Sequence, residues 1–422
     1  MQHFSVVILG GGAGGLELAT GLARAGMKDL LLIDRSTHHV WKPRLHEIAA
    51  GLGRSQVNEI RYVTLAEKWG FAFQQGELAD VLPDKKRIIL KAMKDGADNI
   101  VVPQREIGYQ ASVLAIGGAT PDLGVEGALQ HALMLNNGDD ADALFNRLST
   151  GLLAHAVQGN EKPFEIVIVG SGTTGVELSA HLIQNYLCNT LEPRSELPEI
   201  HVTLLEATDQ ILVGAKEKMR QQVHKRLSDL GVQIKTEKQV SKVTAKDVYT
   251  RNGDKFPTDL TIWTTGTVGH SIADDISAFD TNEKRQWLVK STLQTFASDA
   301  VFALGDCCEV ADDPSPNTAQ AASQQAKHLI KGIQFYLGGK RPDPFTFENK
   351  GNLLSLGQAG GIANIKAQFV DDIFINGNLA RAAYHGLYRQ HQYKVLGFVD
   401  GSKAMVSDIF APGVSPRLKV HG

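Results

Sequence analysis

The chain has 422 residues, 43% of them hydrophobic and 21% charged, enough for two or three domains with ordinary cores. A formal net charge of -3 and a sequence pI of about 6.5 leave no basic footprint, so no nucleic-acid partner is expected. Three cysteines (Cys188, Cys307, Cys308) form no C-x-x-C pair, so reduced structural thiols of a cytosolic protein are expected, with no metal site. No apolar run approaches the roughly 18 residues of a spanning helix, and a strand begins too early to leave room for a signal peptide. A soluble or peripheral protein is expected.

Val6-Val7-Ile8-Leu9 reads as a buried strand, and Gly10, Gly12 and Gly15 after it have the G-x-G-x-x-G spacing of a dinucleotide-binding turn. The glycines would permit the turn, the approach of a pyrophosphate, and close packing of the following helix. That helix points its amino terminus at the phosphates. A second apolar run, Leu30 to Ile33, ends at Asp34, 24 residues beyond Gly10, where a carboxylate can accept hydrogen bonds from a ribose. Residues 36–51, with His39, Trp41, Lys42, Pro43 and His46, suit either a segment along a bound cofactor or a loop packed on the sheet. Residues 57–110 alternate apolar runs and polar turns, as small antiparallel strands do.

Ala111 to Ile116 is a further strand, ending in Gly117-Gly118. The dinucleotide device then recurs: Ile166 to Val169 leads into Gly170-Ser171-Gly172-Thr173-Thr174-Gly175, and Val202 to Leu205 ends in Glu206. The interval from Gly170 to Glu206 is 36 residues, with Asn189 to Glu199 read as an inserted surface loop. Leu260 to Gly266 mirrors the strand before Gly117, and each glycine marks a crossing between domains. Val301 to Asp306 then returns to the first sheet, with its acid at the carboxyl edge, where open α/β sheets place ligands. The second unit is thus inserted in the first. Two nucleotide sites imply two cofactors, and the common reason to hold both is to pass a hydride from a nicotinamide to a flavin.

Through these two turns, Ile116-Gly117, Thr265-Gly266 and Gly305-Asp306, the sequence resembles the two-dinucleotide-binding flavoprotein oxidoreductases. Finer features are similar to one branch, the type II NADH:quinone oxidoreductases of bacteria. They are His39 to Glu47, the run Ala319-Gln320-Ala321-Ala322-Ser323-Gln324 with that branch's A-Q-x-A-x-Q quinone motif, and a tail with Ala380-Arg381, Leu387-Tyr388-Arg389, His391-Gln392 and Pro416 to Lys419. Arg44 departs from the branch, standing where an apolar residue is expected. The likeness covers essentially the whole chain. It implies an α/β fold of two Rossmann-like domains, the NADH domain (121–265) inserted in an FAD domain (1–120 and 266–345), and a C-terminal region (346–422) of amphipathic membrane-associating helices. It implies FAD on Gly10, Gly12, Ala13, Gly14, Gly15, Asp34, Arg35, Lys42, Pro43, Gly117, Gly305, Asp306 and Ala319. NADH falls to Gly170, Gly172, Thr173, Thr174, Gly175, Glu206 and Gly266. The implied enzyme is a non-pumping respiratory dehydrogenase, peripheral on the cytoplasmic face of the bacterial inner membrane.

Gln320 and Gln324 lie four apart on a helix opened after Pro316, so both amides share one face and can donate to quinone carbonyls without adding charge. Ala322, Ala326, Leu329 and Ile333 form the packing face. Glu177 sits in the first turn of the second nucleotide helix, where the dipole stabilises a carboxylate. The resemblance gives it a further role at the flavin–nicotinamide junction, positioning the nicotinamide or handling a proton. Glu206, with no Arg in the next few residues, favours NADH over NADPH. From Arg381 onward six Lys/Arg face two acids, worth about 4 kcal/mol on anionic lipid before screening, so apolar insertion must add the rest. Leu379, Ala383, Leu387, Val395, Phe398 and Val399 form an interrupted stripe, with Tyr384, Tyr388 and Tyr393 suited to the interface. A homodimer contact or packing on its own domain are the other readings of this helix. The rival functions are a sulfide:quinone oxidoreductase, which needs widely spaced cysteines, and a non-catalytic flavoprotein that senses NADH.

Overall fold

The computed structural model describes residues 1–52, 59–189, 198–367 and 370–410. Strand β1 (Gln2–Leu9), helix α1 (Ala13–Arg24) and β2 (Leu30–Asp34) form the first unit, followed by a short helix α2 (Leu45–Ala49) and the long strand β3 (Arg105–Leu114). The second unit opens with β4 (Phe164–Val169), α3 (Thr173–Asn189) and β5 (Ile200–Leu205), and closes with β6 (Leu260–Trp263). The chain then gives β7 (Val301–Ala303), α4 (Ala319–Leu337), β8 (Gly351–Ser355) and a final helix α5 (Asn378–Phe410).

Two parallel-cored sheets result. In the first, β1 lies between β2 and β3, with Val6 to Leu9 opposite Leu30 to Ile33 on one side and Ala111 to Leu114 on the other. Strand β7 pairs parallel with β3, so the chain returns to the first sheet after leaving the second. The second sheet runs 132–134, β6, β4, β5 and 233–235, all parallel. Helices cover both faces of such sheets, and the central strands are correspondingly apolar throughout: Val6, Val7, Ile8, Ile166 and Ile168 are fully buried. The two crossings between sheets, Gly118–Ala119 and Val268–Gly269, pair antiparallel with each other. Beside them the Trp263 indole N–H and the Thr265 hydroxyl both donate to the Pro121 carbonyl.

Some expectations need correction. Ala72–Gln75 is not antiparallel; it joins β2 in parallel, because a helix, Tyr62–Trp69, carries the chain back across the sheet before it. The strands 87–90 and 93–102 are antiparallel as expected. The C-terminal region opens with a three-stranded antiparallel meander, β8, Gly361–Ala367 and Val370–Gly377, ahead of its long helix α5. Most of the expected loop at 189–199 and the Pro416 to Lys419 motif lie outside the described residues.

Helix α5 is kinked at Gly397, whose φ of 77° breaks the helical ladder. The Val395 and Leu396 carbonyls freed there accept from the Trp69 indole and the Lys68 amine. Its inner face, Ala380, Tyr384, Tyr388, His391, Gln392 and Val395, is buried. Tyr384 and Tyr388 are therefore not interfacial: the Tyr384 hydroxyl donates to the Pro43 carbonyl, and the Arg44 guanidinium lies over the Tyr388 ring at 4.9 Å. The outer face presents Leu379, Leu387, Phe398 and Val399, with Phe398 79% exposed.

Candidate active site

The two glycine turns are built alike. A Cβ at Gly15 would stand 1.9 Å from the Gly10 carbonyl oxygen, and one at Gly175 would stand 2.0 Å from that of Gly170. Each helix thus lies closer to its strand than any side chain allows. At Gly12 and Gly172, by contrast, a Cβ would meet nothing within 4 Å. Both face open space at a helix amino terminus, the place for a pyrophosphate. Gly14 differs from its counterpart Thr174 because α4 crosses there: a Cβ at Gly14 would meet Leu304 at 2.4 Å and the Ala322 carbonyl at 3.1 Å. Ala322, inside the A-Q-x-A-x-Q run, is thus where α4 packs against α1.

The strand-end acids repeat the likeness. Asp34 accepts the Gly11 N–H at 2.6 Å and the Ser36 N–H at 2.8 Å. Glu206 accepts the Ser171 hydroxyl at 2.5 Å and backbone N–H groups of Ser171 and Thr208 at 3.2 and 2.9 Å. Burial raises the Asp34 carboxyl above its ordinary range against those two N–H bonds. For Glu206 burial also raises, but the Ser171 and Thr208 bonds outweigh it and hold the group low. Glu206 is a fixed carboxylate at the rim of a cavity of about 730 Å³ lined by Gly170, Gly172, Thr173, Thr174 and Gly266. Asn352 and Leu354 also line that cavity.

Beyond the first turn, Lys42 reaches across to donate to the Gly118 carbonyl at 3.0 Å, next to Gly117. Solvent enters this cleft, yet protein walls crowd the amine, lowering its affinity for a proton while the nearby Asp306 opposes the shift. Asp306 is raised by the same desolvation and lowered by Lys42. Arg35 is exposed beside Asp34, and its carbonyl accepts from Gln75. Two buried amides that sequence reasoning missed hold the Gly305-Asp306 turn. Gln325 accepts the Gly305 N–H at 2.7 Å, and Gln286 donates to the Asp306 carbonyl at 3.1 Å. No spacing signal marks them; only the fold brings them there.

Glu177 is buried on α3, its Oε1 accepting the Ser355 N–H at 2.8 Å and its Oε2 3.6 Å from His46 Nδ1. Burial raises its carboxyl well above the usual value, against the Ser355 bond and aided by Glu47. That environment favours the neutral form of the carboxyl over the charged one. Gln320 and Gln324 do share one face of α4, but both clamp backbone: Gln320 accepts the Lys350 N–H at 3.0 Å, while Gln324 accepts from Glu348 at 3.0 Å and donates to its carbonyl at 2.8 Å. Ala319 starts α4, capped by Thr318.

Another unforeseen network ties the first turn to α5. His39 is buried and neutral, burial lowering its pKa to about 3. Its Nδ1 donates to the Gly11 carbonyl at 2.9 Å, and its Nε2 lies 3.0 Å from His391 Nε2. His391 Nδ1 in turn donates to Glu17 at 2.8 Å, and Lys394 bonds the other Glu17 oxygen at 3.0 Å. Burial raises Glu17, but His391, Lys394 and Ser323 outweigh it and hold the carboxylate low.

Cys307 and Cys308 are buried free thiols, and Cys308 is held well above its ordinary pKa by hydrogen bonding with Cys307 and by burial. The Cys188 side chain lies outside the described residues.

Residues 4–326 match the family model of the pyridine nucleotide-disulphide oxidoreductases. The chain belongs to that family. Within it, the chain is 29% identical to the type II NADH:quinone oxidoreductase of Haemophilus influenzae, over 99% of this chain and all of that one. It is 28% identical to the demethylphylloquinone reductase of Synechocystis over 85% of each chain. In fold it is similar to NDH2 from Plasmodium falciparum solved with NADH, with a TM-score of 0.82 at 16% identity over 98% of this chain and 99% of that one. The sulfide:quinone oxidoreductase of Aquifex aeolicus aligns at a TM-score of 0.74 and 18% identity, over 100% and 96% of the two chains. The family is one of FAD and pyridine nucleotide, and the open glycine positions, carboxylate-tipped strands and cavity fit both.

The glycines separate folding from binding. Gly15→Ala should destabilise the protein by about 1–3 kcal/mol or more in chemical denaturation, since the new methyl has no room. Gly12→Ala should leave stability within about 0.5 kcal/mol yet lose flavin on dialysis, because its methyl fills the pyrophosphate's place. Full flavin retention by Gly12→Ala would contradict this assignment.

Proposed function

We propose that this chain is a non-proton-pumping, FAD-dependent NADH:quinone oxidoreductase. The observation that carries the reading is the pair of matched cradles on one chain, each with an open glycine, an acid-tipped strand and a helix amino terminus, together with relatives named for this reaction. The division into an FAD domain (1–120, 266–345), an inserted NADH domain (121–265) and a C-terminal region follows from it. When bound, FAD supplies the two-electron exchange between nicotinamide and quinone. The chain's residues do the rest. Gly12 and α1 receive the flavin's pyrophosphate, Asp34 its adenosine ribose, and Asp306 and Lys42 the cleft near its ribityl and ring portions. Gly172 and α3 receive the pyrophosphate of NADH, and Glu206 its ribose.

Glu177 is the buried acid for nicotinamide positioning and proton handling. The Gln320 and Gln324 amides belong to the quinone side: by clamping residues 348–351 they hold the segment that leads into β8, whose Ser355 N–H orients Glu177. The sulfide alternative is disfavoured by the burial of Cys307 and Cys308, which stand adjacent rather than widely spaced. Under anaerobic conditions NADH should bleach the flavin of the purified protein and a short-chain ubiquinone or menaquinone analogue should restore its colour. Absence of bleaching, or bleaching by sulfide alone, would overturn the proposal.

Glu206 sets the choice of reductant. A fixed carboxylate repels a 2'-phosphate, so kcat/KM for NADH should exceed that for NADPH by tenfold or more, about 1.4 kcal/mol. Glu206→Gln should narrow the gap; an unchanged ratio would remove Glu206 from that role.

The outer face of α5 is the foot on the cytoplasmic side of an anionic membrane, and no described helix is long and apolar enough to cross one. Electrostatics contribute less than the sequence suggests, since Lys394 pairs with Glu17 and Lys403 with Asp400, while Arg417 and Lys419 lie outside the described residues. The exposed Leu387, Phe398 and Val399 therefore matter more. Because the inner face of α5 is core, truncation would unfold rather than release the protein. The double substitution Phe398→Glu, Val399→Glu should abolish sedimentation with anionic vesicles while stability stays within about 0.5 kcal/mol. Retained sedimentation would exclude this face as the contact.

A further inference from the structure

Glu177 lies at the inner end of a row of imidazoles that the reaction as described leaves unused. His46 is beside it, 3.6 Å from Nδ1 to Oε2. The His46 ring lies 4.9 Å from the His181 ring, centroid to centroid. Each histidine is only 2% exposed. His46 Nε2 and both nitrogens of His181 have no hydrogen-bond partner among the described residues. Such orphaned ring nitrogens carry a desolvation penalty without compensation, and an apolar side chain would pack there at lower cost. His385, half-buried on α5, is near enough to act electrostatically on His181.

We propose that His46, His181 and His385 form a proton route that recharges Glu177 during quinone reduction, with His181 as its central carrier. The inference rests on the quinone-reducing reading above. Its stoichiometry calls for one proton from outside. NADH gives up a hydride, two electrons and one proton, whereas the quinone takes two electrons and two protons to become quinol. One proton per turnover comes from the medium and must reach a site walled by α2, α3, the turn at Gly357 and α5.

The surroundings suit transfer rather than storage of charge. Burial lowers the His181 imidazole to about 4 and the His46 imidazole well below its usual value. Facing them are Arg44 from the turn before α2, Glu47 from α2, Glu177 from α3, and Arg381 and His385 from α5. The positive groups Arg44 and Arg381 lower His181, while Glu47 opposes them. A neutral imidazole has one donor and one acceptor nitrogen, so it can take a proton on one side and release one on the other. The orphaned nitrogens are where bridging water would bind and complete the contacts between the rings. His181 also abuts the turn after β8: a Cβ at Gly357 would stand 2.9 Å from its Cδ2, which keeps the ring in place.

The test separates the two half-reactions and adds a measurement on the resting protein. In His181→Phe, anaerobic bleaching of the flavin by NADH should stay within about twofold of wild type, while reoxidation by a soluble ubiquinone analogue should slow about tenfold or more, partly restored by added imidazole. His181→Gln, which keeps the polarity but cannot pass a proton through, should behave the same way. His385→Leu should slow reoxidation less and alter its pH profile. In infrared spectra of the oxidised protein, the carbonyl stretch of protonated Glu177 should exchange into D2O more slowly in both His181 variants. Reoxidation within twofold of wild type in both, or unchanged Glu177 exchange, would overturn the route. If the wild-type flavin is not reoxidised by quinone at all, the functional reading fails, and Glu177 exchange still decides whether the route exists.

Discussion

Both halves of the molecule depend on one close approach, the third glycine of each turn resting against the carbonyl oxygen of the first. With no Cβ at Gly15 or Gly175, each helix packs onto its strand and its amino terminus is brought over the sheet edge. The rest of each cradle follows. The acid at the end of the next strand takes its bonds from the turn's own backbone, and the middle glycine faces open space. Because the same constraint is met twice, the chain can hold two dinucleotides, and the inserted topology pairs the two crossing strands, 118–119 and 268–269, with each other.

Around this frame, the elements of the C-terminal region reach back into the first unit. Helix α5 reaches back through His391 and Lys394 to Glu17 on α1, and through His391 and His39 to the Gly11 carbonyl in the first turn. Strand β8 presents Ser355 to Glu177. The face of α5 toward the protein is thus a wall of the site, and its opposite face is apolar and exposed. A contact at that surface would adjoin the flavin side and the buried acid without any large rearrangement.

The parts of this arrangement legible in the sequence were those with a fixed local spacing. Gly10, Gly12, Gly15 and Asp34 stand within one strand–turn–helix–strand unit, and so do Gly170 to Glu206, so periodicity alone located them. The return of Val301 to Asp306 to the first sheet was legible because that strand carries the same apolar run ending in a small residue and an acid. The contacts of α5 were not: Tyr384 and Tyr388 look interfacial in a linear reading, but Pro43 and Arg44, more than 300 residues away, draw them inward. Gln286, Gln325 and His181 carry no motif, and their roles exist only where distant segments meet. The Gln320 and Gln324 pair shows the reverse, a motif whose spacing placed both amides on one face as expected, but whose bonds go to the backbone of 348–351.

The central claim is that the two cradles bring a nicotinamide and a flavin face to face in one fixed orientation. Anaerobic stopped-flow mixing of the flavin-loaded protein with NADH deuterated at one or the other face of nicotinamide C4 tests it most directly. The account predicts slower flavin bleaching with one stereoisomer and an unchanged rate with the other. Equal rates with both, under conditions where transfer itself limits bleaching, would contradict it.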